Sequence, residues 1–222
     1  MTYDTVFLFD VDNTLLDNDR IQADLDVHIR VEHGTSARNR YWEIFETIRS
    51  ELGYADYLGA LDQYRREDMH DPRILRFVNW LADYPFADRL YRGALDAVKH
   101  VQQWAPTVIL SDGDAVFQPR KVERSGLWRT FDGNVLIYIH KEEELHNVEL
   151  LYPAHRYVMI DDKLRILDSM KKIWGDRLTA VFVQQGHYAT DPVILAQYPH
   201  GDLQLASIGD LVEFDPAELA RR

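Results

Sequence analysis

Asp10 and Asp12 stand two positions apart in Asp10-Val11-Asp12-Asn13-Thr14, directly behind the apolar run Val6-Phe7-Leu8-Phe9. A carboxylate held on a rigid strand end can act as a nucleophile, and a second one two positions on can move a proton for it. The same string also serves as a polar loop capping a following helix. Ser111-Asp112-Gly113 follows a further apolar run, Thr107 to Leu110. There a hydroxyl and the next N–H groups could bind a phosphoryl oxygen, or Ser111 or Asp114 could cap a helix. Asp161-Asp162 follows Tyr157-Val158-Met159-Ile160. Adjacent carboxylates repel unless a proton or cation lies between them, so the pair suits a hard metal such as Mg²⁺; otherwise one caps a helix and the other is solvated. Two lysines compete to complete the set. Lys121 lies in a helix-like stretch, whereas Lys141 follows the strand-like run Val135 to Ile139 and so belongs at the same edge as the carboxylates.

Groups so far apart in the chain need elements that bring them to one edge. The four apolar runs, with Thr179 to Val183 as a fifth, are short, continuous and separated by helical stretches. That pattern predicts strands buried on both faces, joined by right-handed crossovers into a doubly wound, Rossmann-like α/β parallel sheet with ligands at its carboxyl ends. Residues 16–92 break the alternation with four helix-like stretches. Their stripes are Ile21, Leu25 and Ile29; Tyr41, Ile44, Phe45, Ile48 and Leu52, begun near Ser36 and stopped by Gly53; Tyr57, Leu58, Leu61 and Tyr64; and Leu75, Val78, Trp80 and Leu81 behind Asp71-Pro72. The expected division is an α/β core of residues 1–15 and 93–222 and a helical insert of residues 16–92. The tail from Asp215 to Arg222 reads as a short exposed helix.

The 222 residues contain no Cys, which removes disulfides, thiolate metal sites and a cysteine nucleophile together. With 25 Lys and Arg against 37 Asp and Glu the net charge is −12, so the average field repels nucleic acid and anionic membranes. A small phosphorylated metabolite remains open, since local cations or a metal override that field. The first residues show no secretory leader, and no run approaches the ~18 apolar residues of a membrane span, so a cytoplasmic location is expected.

Bacterial receiver domains also gather acids, a hydroxyl and a lysine at strand ends, but there the acidic pair comes first in the chain, whereas here it comes last. The order instead resembles that of the haloacid dehalogenase superfamily. Asp10-Val11-Asp12-Asn13-Thr14 matches its first motif, Ser111 the second, Lys141 the third and Asp161-Asp162 the fourth, with Arg92-Gly93-Ala94, Ser125-Gly126-Leu127 and Ser207-Ile208-Gly209-Asp210-Leu211 matching between and beyond them. Asp112 and Glu142 depart from the Asn and Pro that the superfamily often has. The resemblance implies that the insert is a helical C1 cap and that the protein is a Mg²⁺-dependent phosphatase. It further implies that Asp10 is the nucleophile, Asp12 the general acid and base, and Ser111 and Lys141 the phosphate-binding groups. The metal would be held by Asp10, the Asp12 carbonyl and Asp162, with Asp161 in support. A phosphomutase would share every motif. A dehalogenase would use Asp10 but needs neither a metal nor Asp12, and a binding protein on the same fold would need no turnover.

Other residues carry plainer expectations. Trp42, Trp80, Trp104, Trp128 and Trp174 read as packing, and Glu142-Glu143-Glu144 as a solvated helix start. His140 is the histidine nearest the expected site. Arg20, His28, Arg38, Arg40 and Arg65 could meet an anionic substrate or form a charged outer face.

Overall fold

In a computed structural model, which describes residues 2–67 and 69–221, strand β1 (Tyr3–Phe9) buries consecutive side chains on opposite faces. Val6 and Leu8 join Val108, Leu110, Met159 and Phe182 on one side, and Phe7 and Phe9 join Ile109, Val158, Ile160 and Val181 on the other. Full burial of each such side chain contributes roughly 1.5–3 kcal/mol, which is why unbroken apolar runs settle in the middle of a sheet. The other strands are β2 (Thr107–Asp112), β3 (Val135–Tyr138), β4 (Ala154–Asp161), β5 (Leu178–Val183) and β6 (Leu203–Leu205), in the spatial order β3-β2-β1-β4-β5-β6. All pairings are parallel. Because β1 pairs with β2 on one side and β4 on the other, the chain reverses its winding there and leaves a crevice at the carboxyl ends of those three strands.

Four helices intervene between β1 and the rest of the sheet: α1 (Asn18–His33), α2 (Thr35–Leu52), α3 (Tyr57–Glu67) and α4 (Ile74–Asp83). Helix α2 stops where sequence places it, at Gly53 with φ of +77°. Behind the insert come α5 (Ala94–Gln102), α6 (Phe117–Arg124), α7 (Leu127–Thr130), α8 (Leu145–Leu151) and α9 (Leu164–Trp174). The apolar side chains of the insert are continuous with one face of the sheet, where Phe117 of α6 meets Tyr57 and Phe86 at ring-centroid distances of 5.3 and 5.8 Å.

Several expectations are corrected. The buried stripe of α4 is Ile74, Phe77 and Leu81, while Leu75 and Val78 are exposed. The 74/77/81 spacing keeps one helical face, which 75/78/80/81 does not. Asp71 takes the Arg73 N–H at 2.9 Å in a turn, so α4 starts later than Asp71-Pro72 suggests. Leu52 is exposed at the end of α2. The C-terminal helix is not exposed: Leu219 is fully buried, and its carbonyl accepts the Thr179 hydroxyl at 2.9 Å. Strand β2 runs on through Ser111 and Asp112, and the three-residue β6 is too short to show a pattern. Among the described residues, no helix is long and apolar enough to cross a membrane.

Candidate active site

The Asp10 N–H donates to the Ile160 carbonyl at 3.0 Å, which sets Asp10 beside Asp161 at adjoining strand ends. The chain then turns sharply, with the Leu15 and Leu16 N–H groups both 2.9 Å from the Val11 carbonyl. Asn13 occupies the left-handed region at φ +60°, and its Oδ1 accepts the N–H groups of Asn18 and Asp19 at 3.0 and 3.1 Å, opening α1. Gly186 lies so close that a Cβ there would be 2.5 Å from Asn13 Cβ. These contacts hold the turn rigid, and with it both carboxylates.

Lys141 is wholly buried among the acids. Its Nζ lies 2.6 Å from Asp10 Oδ1 and 2.7 Å from Asp161 Oδ2, and donates to the Leu110 carbonyl at 3.2 Å. Its backbone N–H donates to Asp112 Oδ1 at 2.8 Å, so the Asp at this position anchors the lysine's own loop. Asp161 Oδ1 accepts the Lys163 N–H at 2.8 Å. Among the described residues, Asp10 Oδ2 and both oxygens of Asp162 are buried without a hydrogen-bond partner. Asp10, Asp161 and Asp162 each offer an oxygen, all within 4.8 Å of one another.

Burial raises Asp161 to about 6 despite Lys141, with Asp10 adding to the rise. Burial likewise lifts Asp162 well above the carboxylate range, against the pull of Lys163, with Asp161 and Asp10 pushing the same way. Asp112 is raised by burial too. Burial works against the ammonium groups of Lys141 and Lys163, but the surrounding acids outweigh it and raise both. Two lysines facing Asp10, Asp112, Asp161 and Asp162 leave a surplus of negative charge. Three buried, all-oxygen donors with orphaned lone pairs suit a hard divalent cation. The residues present therefore fit Mg²⁺.

The carboxylate of Asp12 stands outside that group. Both of its oxygens accept from Lys121 Nζ, at 2.8 and 2.9 Å. The two competing lysines thus divide the acids, Lys141 taking Asp10 and Asp161, and Lys121 taking Asp12. Ser111 is buried near the end of β2, with its Oγ accepting from Gln118 Nε2 at 3.1 Å.

A cavity of about 470 Å³ separates the insert from the sheet edge, with Asp12, Asp112 and Lys163 in its wall on one side and Phe45, Arg49 and Tyr57 on the other. Arg49 Nη1 donates to Tyr188 Oη at 2.9 Å, and the His187 N–H donates to Asp19 Oδ2 at 2.7 Å, so the segment after β5 is tied to the insert. Sequence reasoning did not single out Lys163, Arg49 or Tyr188. For Lys163 the signal was its place directly behind the acidic pair. The basic residues it did name lie elsewhere: Arg20, Arg38 and Arg40 pair with Asp24, Asp26 and Glu67, Arg65 is exposed, and His28 stacks on Trp80 at 4.5 Å. His140 packs against Gly53 on the cavity wall without lining the cavity itself, and no tryptophan lines the cavity among the described residues. Glu142 is not solvated; it is buried and pairs with Arg165 at 2.5 Å.

Residues 5–173 match the profile of the haloacid dehalogenase-like hydrolases. A crystal structure from Burkholderia xenovorans LB400, provisionally described as a haloacid dehalogenase-like hydrolase, shares 60% identity over 98% of both chains with a TM-score of 0.93. The L-2-haloacid dehalogenase of Xanthobacter autotrophicus with chloropropionic acid covalently bound shares the fold at 15% identity and TM-score 0.61, over 96% of this chain and 98% of that one. So does YfnB of Bacillus subtilis bound to magnesium, provisionally described as a HAD hydrolase, at 16% identity and TM-score 0.62 over the same shares. No curated protein matches the chain significantly by sequence. The sheet order, the gathered acids and the match along most of its length together make this chain a member of the haloacid dehalogenase-like hydrolase family.

Proposed function

We propose that the protein is a Mg²⁺-dependent phosphohydrolase that cleaves a small phosphorylated metabolite through an aspartyl phosphate, with the helical insert acting as a cap. The observation that carries this reading is the buried group Asp10, Asp161 and Asp162, in which Asp10 Oδ2 and both Asp162 oxygens lack hydrogen-bond partners and burial raises Asp161 and Asp162. Dehalogenation at Asp10 would need no such surplus of acid, and the dehalogenase neighbour resembles this chain in fold alone.

Asp10 is the nucleophile: its Oδ2 is free to form the bond to phosphorus while Lys141 holds Oδ1 at 2.6 Å. As that bond forms, the bond from phosphorus to the leaving oxygen breaks, and Asp12 gives that oxygen a proton. Asp12 then takes a proton from the water that attacks phosphorus, which releases inorganic phosphate and restores the Asp10 carboxylate. Lys141 and the Ser111 hydroxyl neutralise the transferring oxygens. Asp10, Asp162 and the Asp12 carbonyl, supported by Asp161, would hold Mg²⁺, which when bound offsets the negative charge gathered between carboxylate and phosphate. The cap shields the site from bulk water and supplies the contacts that choose the leaving group.

The direct test is release of inorganic phosphate from an aryl phosphate with and without Mg²⁺, followed by a panel of phosphorylated metabolites. Phosphate release that requires both Mg²⁺ and Asp10 supports the reading. No release from any substrate, or release unchanged in Asp10→Asn, would overturn it.

A further inference from the structure

Lys121 is the residue whose surroundings the proposed chemistry does not yet explain. Its side chain is 1% exposed, yet it lies across the sheet edge from the metal-binding acids and touches none of them. An ammonium group has three donors. Here they meet Asp12 Oδ1 at 2.8 Å, Asp12 Oδ2 at 2.9 Å and Asn18 Oδ1 at 3.1 Å. The Phe117 and Tyr57 rings flank the group, with centroids 5.4 and 5.9 Å from Nζ. Burying a lysine is costly, and a packed apolar side chain would usually serve the fold as well or better. Its presence is therefore explained by what it holds.

We infer that Lys121 is a positioning residue: it fixes the Asp12 carboxylate at the wall of the cavity, and Asn18 and Tyr57 make that hold depend on the insert being seated. The inference rests on Asp12 acting in the proposed hydrolysis. Asp12 keeps 21% of its side chain exposed and lines the cavity, whereas the lysine behind it is sealed off. A pair held through both oxygens leaves the carboxylate one orientation. Its third contact reaches into the insert, since Asn18 opens α1 and donates through Nδ2 to Tyr57 Oη at 3.3 Å, and Gln22 donates to the same hydroxyl at 2.7 Å. A displaced insert would remove Asn18 and Tyr57 from the lysine and so loosen the lysine's hold on the carboxylate. Asp12 is thereby placed for proton transfer when the insert covers the site.

The test is a double-mutant cycle on the full-length protein with saturating Mg²⁺, reading kcat and KM on an alkyl phosphate and an aryl phosphate, with Mg²⁺ affinity and Tm as controls. Lys121→Met is expected to lower kcat on the alkyl phosphate by about 10–100-fold, the cost of a misplaced catalytic group. KM and Mg²⁺ affinity should stay within about twofold, and Lys121→Arg should restore part of the rate because its fork can still pair with both oxygens. In an Asp12→Asn background the same Lys121→Met change should cost less than about twofold, since residues that act through one another are not additive. Asn18→Ala, a smaller change, should show the same dependence on Asp12 should Lys121→Met fail to fold. Equal losses with and without Asp12, or a folded Lys121→Met protein with the parent's kcat, would overturn the inference. Absence of phosphate release by the unmodified protein would instead overturn the phosphatase reading on which it rests.

Discussion

Lys141 Nζ lies 2.6 Å from Asp10 Oδ1 and leaves Asp10 Oδ2 as the oxygen without a partner. One lysine thus orients the carboxylate by fixing one of its two oxygens. Because the same Nζ is 2.7 Å from Asp161 Oδ2, it also offsets repulsion between two strand ends.

Replacing Lys141 by Met should therefore damage both stability and turnover. Removing one partner of a buried ion pair typically costs about 3–5 kcal/mol, because the remaining charge is left uncompensated. Urea denaturation should show a loss of that order, reduced when Mg²⁺ is added, and phosphate release should fall by at least 10²-fold. Parental kinetics in a folded Lys141→Met protein would remove the lysine from the mechanism.

Chelation should abolish phosphate release and Mg²⁺ should restore it. Ca²⁺ should inhibit, since its longer bonds and looser shell misplace the groups it holds. Turnover that survives exhaustive chelation would show that Asp10, Asp161 and Asp162 serve some purpose other than holding a cation.

The raised Asp161 and Asp162 link metal binding to pH. Unfolded Asp titrates near 3.9, whereas folded Asp161 titrates at about 6, so between these values the folded state binds more protons than the unfolded one. Stability of the metal-free protein from this source is full below about pH 4 and is lost as pH rises through 6. Mg²⁺ competes with those protons, so its affinity should grow over the same range. Melting curves with and without Mg²⁺ should separate more at pH 7.5 than at pH 5, with protons released on binding below neutrality; an identical separation at both would contradict the assignment.

Asp12→Asn should slow alkyl phosphates more than aryl phosphates, within the roughly 10²–10⁴-fold range of general acid–base catalysis, because aryl oxygens depart without a proton. Breakdown of the aspartyl phosphate should slow as well, so radiolabelled phosphate should remain on the protein after rapid quenching. Equal losses for both leaving groups with no trapped phosphate would confine Asp12 to a structural role.

Arg49→Ala removes the contact between α2 and Tyr188 on the cavity wall. Its effect should differ among substrates by tenfold or more in kcat/KM while the smallest aryl phosphate changes little. Arg40→Ala, which breaks an exposed pair with Glu67, should leave the preference unchanged. Uniform effects of Arg49→Ala across the panel would show that the insert does not choose the substrate.

The sequence by itself determined that Asp10, Ser111 and Asp161 lie at or near the carboxyl ends of buried parallel strands, because an apolar run closed by a polar residue has one favourable place in a doubly wound sheet. It also determined that helices fill the gap between β1 and β2, since their 3.6-residue periodicity is local. Tertiary structure alone decided the rest, because each remaining relationship pairs residues far apart in the chain. Local pattern could rank Lys121 and Lys141 only as rivals, whereas packing gave each its own carboxylate 109 and 131 positions away. Arg49 looks like any helix-surface arginine until the fold brings it to a partner 139 positions away, on the wall of the cavity. Glu142 reads as solvated for the same reason, since nothing local announces Arg165. Periodicity records which face of an element is apolar; which charged groups meet depends on how the elements dock.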